Sequence, residues 1–223
     1  MLACNWKFAV ENYCESYHLA WMHSGLNSYS RIEDHCNILA GDWGAGQSTT
    51  VFDFSNRADI ALPCFSGWLE AMGKTAEYIA LFPNVLLGIR NDHFYSIVLA
   101  PRTADKALED VQIYYVVDGA DGLHHDAARH TTVLEGWREV SLEDVDVCES
   151  MQKGRASPVF DGGVFSPVLD NATHYFHRWS ASRLAGQKMC LCPVLDRARW
   201  KLCAFAPATR AALSVVYQRA QEL

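Results

Sequence analysis

Between residues 78 and 99 the chain alternates β-prone runs with tight turn pairs, and that leaves few folds open. Tyr78-Ile79-Ala80-Leu81-Phe82 runs into Pro83-Asn84, and Val85-Leu86-Leu87-Gly88-Ile89 runs into Asn91-Asp92. His93-Phe94-Tyr95-Ser96-Ile97-Val98-Leu99 follows at once, and a further β-rich run occupies residues 111–117. Connections this short cannot hold the crossover that parallel strands need, so neighbouring strands must be antiparallel. The spacing predicts an antiparallel meander within residues 48–118.

Helical signals flank the meander. Phe8, Val10, Tyr13, Tyr17 and Trp21 recur at roughly helical spacing, predicting one helix over residues 6–22 that stops at Ser24-Gly25. A polar stretch follows, from Asn27 to Gly46. Residues 124–137 are compatible with a helix. Leu142, Val145, Cys148 and Met151 then recur every three residues, which places Glu143 and Asp144 in the first turn of a helix, where negative charge suits the dipole. Helix, sheet, then helices is an α+β order.

Composition narrows the function classes. Of 223 residues, 50% are hydrophobic and 20% charged, which is globular rather than disordered. With a net charge of −7 and no basic run interleaved with aromatics, nucleic-acid binding is not expected. No apolar run approaches the roughly 18 residues of a membrane span, and the start has no signal-peptide core, so a cytoplasmic protein is expected. Eight irregularly spaced cysteines then read as reduced, mostly buried thiols, with Cys190-Leu191-Cys192 lacking the second pair that a soft-metal site needs. No glycine-rich nucleotide motif is present. From Arg183 to Leu223 seven Lys/Arg stand against two Asp/Glu, so this basic tail differs from a remainder at −12. It is either a C-terminal helix, Ala-rich over 207–222, or sequence foreign to a domain spanning 1–182.

The informative stretch carries His18 and His23, five residues apart, with Glu15 three residues before the first. On an unbroken helix, residues five apart point about 140° away from each other, so both imidazoles meet one ion only if the helix ends or distorts. Two imidazoles and one carboxylate on one face of an octahedron suit Fe(II), with the opposite face open. A third ligand would come from Glu143-Asp144-Val145-Asp146-Val147-Cys148-Glu149. Taken alone, these histidines also fit ordinary core or surface positions, and the acids fit a solvated helix start. His124-His125 and His130 read as a solvated loop, His35 and His93 have no partner signature, and His174 and His177 read as core or edge packing.

Asn5-Trp6-Lys7, then Glu11-Asn12, Glu15, Tyr17-His18 and His23, resembles the mononuclear-iron motif of Rieske non-haem iron oxygenase α subunits. Glu143-Asp144, Cys148-Glu149 and Gln152 resemble the segment that supplies their third ligand, and Phe82-Pro83-Asn84 and the run from His174 to Trp179 are similar as well. The resemblance covers residues 5–180. It implies a helix-grip (START-like) fold, an antiparallel sheet curved around a long helix, with iron in the central cavity. It implies His18, His23 and Asp144 as Fe(II) ligands, with Asp146 and Glu149 as runners-up. Glu15 is implied as the bridging carboxylate that carries electrons in from a neighbouring subunit; Glu there is typical of the carnitine and glycine-betaine branch. Asn12 and Tyr17 match positions near the iron and are expected only to pack.

The implied activity is O2-dependent hydroxylation of a small organic substrate, either an N-methyl or quaternary-ammonium compound or an aromatic ring. The implied partners are a Rieske [2Fe–2S] domain and an NAD(P)H-dependent reductase, with a homotrimer as the assembly. The Cys-x-His and Cys-x-x-His ligands of a Rieske cluster do not occur in these 223 residues. The cluster is therefore expected on another chain or on sequence outside this one. The alternative is a degenerate ligand-binding module without turnover.

Overall fold

The computed structural model describes residues 1–52, 62–65, 68, 70–116 and 127–187. Six antiparallel strands form one sheet in sequential order: β1 (His35–Leu39), β2 (Gly44–Thr49), β3 (Ala76–Leu81), β4 (Val85–Ile89), β5 (His93–Thr103) and β6 (Lys106–Tyr115). The meander is therefore real and larger than expected. The polar stretch 27–46 contains β1 and the start of β2, which pair with His35 opposite Thr49.

β2, Gly-Ala-Gly-Gln-Ser-Thr, is buried along its whole length despite lacking β-branched apolar residues. Small side chains let the neighbouring strand approach: a Cβ at Gly46 would lie 2.0 Å from the Tyr78 carbonyl oxygen. Gly88 serves the site more directly. A Cβ there would sit 2.1 Å from the Tyr95 ring, so the bare backbone leaves room for that ring across the β4–β5 pair.

The single helix expected over 6–22 is broken into two, and Ser24-Gly25, expected to stop it, instead opens a third. Asn5 caps α1 (Trp6–Cys14), its side-chain oxygen accepting from the Lys7 amide. The chain turns extended at Glu15, then forms α2 (Leu19–Met22) and α3 (Ser24–Asn27). The opposite correction applies later. Residues 127–155 form one 29-residue helix, α4 (Ala127–Arg155), so Glu143 and Asp144 lie mid-helix and not in a first turn. Gly136 lies inside α4 and does not stop it. Leu142 is exposed, and the face turned inward carries Trp137, Val140, Asp144, Cys148 and Met151. The last described helix is α5 (Asn171–Leu184).

The main core joins α1, the face of α4 and the strand residues Tyr78, Leu86, Tyr95, Ile97 and Leu99, with Phe176 from α5. This sheet-on-helix layering matches the expected α+β architecture. Cys4, Cys14, Cys64 and Cys148 are free thiols as expected, whereas Cys36 is disulfide-bonded. Cys190, Cys192, His124, His125 and the Ala-rich 207–222 lie outside the described residues. Among the described residues no helix is long and apolar enough to cross a membrane.

Candidate metal centre

The break after α1 builds the site. Helices leave their last carbonyls without partners, and here Gln47 on β2 supplies one. Its side-chain amide donates to the carbonyl oxygen of Glu15 at 2.5 Å. Its own oxygen accepts from His35 Nδ1 at 2.7 Å, and the far nitrogen of His35 meets the Ser30 hydroxyl at 2.9 Å. Anchored in this way, the chain leaves α1 at Glu15 and brings His18 to the start of α2. At His23 the backbone is non-helical (φ −111, ψ 61), which changes the chain direction again. The two imidazoles therefore converge, with ring centroids 5.0 Å apart and planes at 79°.

Asp144 meets them from α4. Its Oδ1 stands 3.0 Å from His23 Nε2 and 3.7 Å from His18 Nε2, and the three ligand atoms lie within 4.8 Å of one another. Facial ligands bound at about 2.1 Å to one ion stand about 3.0 Å apart, so small side-chain adjustments would close this set on a metal. Among the described residues it is the one group of three such donors close enough to hold an ion. Asp146 and Glu149 lie about 200° and 140° around α4 from Asp144. Asp146 is exposed, and Glu149 accepts from the Ala3 amide at 2.9 Å.

Three polar residues prepare the donors. Glu15 lies 2.5 Å from His18 Nδ1 and also accepts from the His18 amide. Glu143 lies 2.6 Å from His23 Nδ1. An ionised carboxylate only accepts, so each ring carries its proton on Nδ1 and offers Nε2 to the centre. Asn12 donates to Asp144 Oδ1 at 2.7 Å, which is more than the packing role expected of it. Burial works against charge on His23. The hydrogen bonds and charges of Asp144 and Glu143 outweigh that, so its pKa is raised. A metal ion would compete with a proton for Nε2.

Tyr17 is 41% exposed near this group, and Trp21 and Met22 are exposed on α2. His93, for which no partner was foreseen, has two. Trp137 Nε1–H donates to His93 Nε2 at 2.7 Å, and His93 Nδ1 faces Asp92 at 2.8 Å. This chain fixes the indole against Tyr95, with ring centroids 4.7 Å apart. His130 stacks on Tyr115, and His177 pairs with Glu11 at 3.0 Å, away from the centre.

Two cavities adjoin at the centre. One of about 40 Å³ touches His18, His23 and Asp144, enough for a molecule the size of water or dioxygen. The other, about 360 Å³, lies between the sheet and α4. Asn12, Tyr13, Tyr95, Trp137, Val140 and Asp144 line both. Burial holds the Tyr13 and Tyr95 phenols well above their ordinary pKa, and their hydroxyls meet at 3.1 Å.

Sheet, long helix and a two-histidine, one-carboxylate donor set between them define the class of this domain. Residues 1–186 match the family described as ring hydroxylating alpha subunit (catalytic domain), and the chain belongs to that family. Among curated relatives, the chloroplastic choline monooxygenase of Arabidopsis thaliana is 28% identical over 180 residues, covering 78% of this chain and 38% of its own length. The putrescine 2-hydroxylase of Ralstonia nicotianae is 23% identical over 192 residues, covering 78% and 50%. The carnitine monooxygenase oxygenase subunit of Escherichia coli K12 is 25% identical over 166 residues, covering 71% and 39%. The chain thus spans half or less of the length of these relatives. The quaternary ammonium Rieske monooxygenase CntA shares the fold: its complex with the inhibitor MMV12 gives a TM-score of 0.61 at 16% identity, covering 84% of this chain and 47% of that one. Its complex with L-carnitine gives 0.58 at 17%, with the same coverage.

Proposed function

We propose that this domain binds one Fe(II) through His18 Nε2, His23 Nε2 and Asp144 Oδ1 and hydroxylates a small cationic amine at the expense of O2. The observation that carries the reading is the convergence of three donors whose supporting groups already point the free nitrogens inward. When bound, the iron supplies reductive activation of O2. The protein does the rest. Glu15 and Glu143 hold the Nδ1 protons and keep both rings oriented, and Asn12 holds Asp144 in place. Leu19, Leu26 and Val140 wall the small cavity against water, and the larger cavity offers the substrate a place beside the centre. Relatives named for choline, carnitine and putrescine support an amine substrate. Tyr13, Tyr95 and Trp137 at the junction of the cavities fit one, since aromatic faces attract cations.

Turnover needs electrons from a [2Fe–2S] cluster and a reductase that these residues do not supply, with a trimer as the family's implied assembly. Glu15 is the bridging group, because its carboxylate contacts His18 directly. The exposed side chains of Tyr17, Trp21 and Met22 offer a surface beside it for the domain that carries the cluster. Residues 1–182 are proposed to form the catalytic unit, apart from the basic tail.

The test is iron stoichiometry after anaerobic reconstitution. About one Fe(II) per chain is expected, lost in His23→Ala and in Asp144→Ala. Folded wild-type protein that takes up no iron would overturn the reading and leave a metal-free binding module.

A further inference from the structure

Glu109 does not belong where it stands by apolar logic. On β6 the residues facing α4 alternate as Glu109, Val111 and Ile113, opposite Leu99, Ile97 and Tyr95 on β5. Each of these except Leu99 lines the 360 Å³ cavity. Glu109 is thus a charged side chain in an apolar and aromatic row. Its carboxylate has no hydrogen bond or ion pair among the described residues, although such groups are normally paired when half-buried. Burial, followed by the charge of Asp144, pushes its carboxyl up to about 7.

Two acids line the cavity. Asp144 lies at the metal centre, where a bound ion would neutralise it. Glu109 would then remain as the negative charge of the larger cavity. Arg138, the other charged lining residue, is largely exposed and turned toward Glu135 at 3.4 Å. The rings of Tyr13, Tyr95 and Trp137 line the same cavity.

We infer that Glu109 is the specificity-determining counter-ion for the substrate's ammonium group, holding the cation in the larger cavity while the carbon to be oxidised faces the metal centre. This rests on the oxygenase reading and names the residue that selects the substrate class. A quaternary or protonated amine pairs with the half-buried carboxylate, beside the aromatic residues that line the same cavity. A neutral molecule of the same shape leaves the carboxylate unpaired and binds less tightly.

The test uses choline and its uncharged carbon isostere, 3,3-dimethylbutan-1-ol, titrated calorimetrically into the anaerobic, iron-loaded chain. Wild type is expected to prefer choline by about tenfold or more. Glu109→Gln should lose the preference, and Glu109→Asp should keep part of it. Iron content is measured first on the same samples, because no ligand is changed. Full iron with the choline preference unaltered in Glu109→Gln, or with no preference in wild type, overturns the role of Glu109 and leaves the metal centre standing. Absence of iron from the wild type overturns the oxygenase reading itself. If Glu109→Gln alone fails to fold, Glu109→Asp decides, since a preference equal to wild type despite the shortened carboxylate also counts against the role.

Discussion

Removing Glu143 isolates what a carboxylate outside the metal set contributes. His23 is 1% exposed, and Glu143 accepts its Nδ1 proton at 2.6 Å. In Glu143→Ala that N–H has no partner at a site water scarcely reaches, a loss of about 1–3 kcal/mol. That loss falls on folding stability; for metal affinity, supporting groups of this kind typically contribute 10–100-fold, or about 1.4–2.8 kcal/mol. Glu143 is itself 37% exposed and partly screened, which favours the lower half. Glu143→Gln keeps an acceptor oxygen and loses only the charge, so about 3–10-fold is expected. The assay is anaerobic titration with Co(II), read by its visible absorption and then by competition with Fe(II). Asp146→Ala is the control, since it sits about 200° around the helix from Asp144 and should bind as wild type does. If Glu143→Ala binds within about twofold of wild type while His23→Ala does not bind at all, the second carboxylate is only a surface neighbour and the reasoning fails.

Two further outcomes concern stability. Gln47→Leu strands the Glu15 carbonyl and the His35 N–H, so a loss of about 2–4 kcal/mol and a drop in Tm of about 5–15 °C are expected; an unchanged melting curve would mean the chain leaves α1 for other reasons. Glu109→Gln should stabilise the metal-free protein in alkaline solution. The folded carboxyl titrates near 7, above its ordinary value of 4.5. Its stabilisation is therefore present below pH 4.5 and lost as pH rises to 7. The variant should gain about 1–3 kcal/mol over wild type at pH 8 and nothing at pH 4, measured by urea unfolding. An equal gain at both pH values would point to packing and not to charge.

What the sequence made legible was what neighbours along the chain decide. β3, β4 and β5 announce themselves through apolar runs between turn pairs, whereas the three-residue stripe read from Leu142 set Asp144 in a first turn and missed Trp137 and Val140 on its face of one long helix. β2 could not be read, because its small residues are chosen for close approach to β3 rather than for strand preference. The break at Glu15 was equally hidden. No Gly or Pro marks it, and the group that stabilises it, Gln47, comes from 32 residues away. Glu143 and Asn12 owe their roles to helices meeting across the core, which periodicity within one element does not report. His23 and His18 were found as a pair by family resemblance, since spacing alone would set them on different faces of an unbroken helix.

The unbroken run of α4 has an evolutionary consequence. Trp137 and Asp144 are two turns apart on one rod, about 10 Å along its axis. A lineage that reshapes the cavity by moving the indole drags the carboxylate with it and endangers the proposed metal centre. Strand residues carry no such penalty, because each position of β5 and β6 that faces the cavity can change alone while the sheet pairing stays intact. Diversification among descendants of this domain should therefore be written on the sheet, at positions such as 97, 109, 111 and 113, while the helix stays conservative.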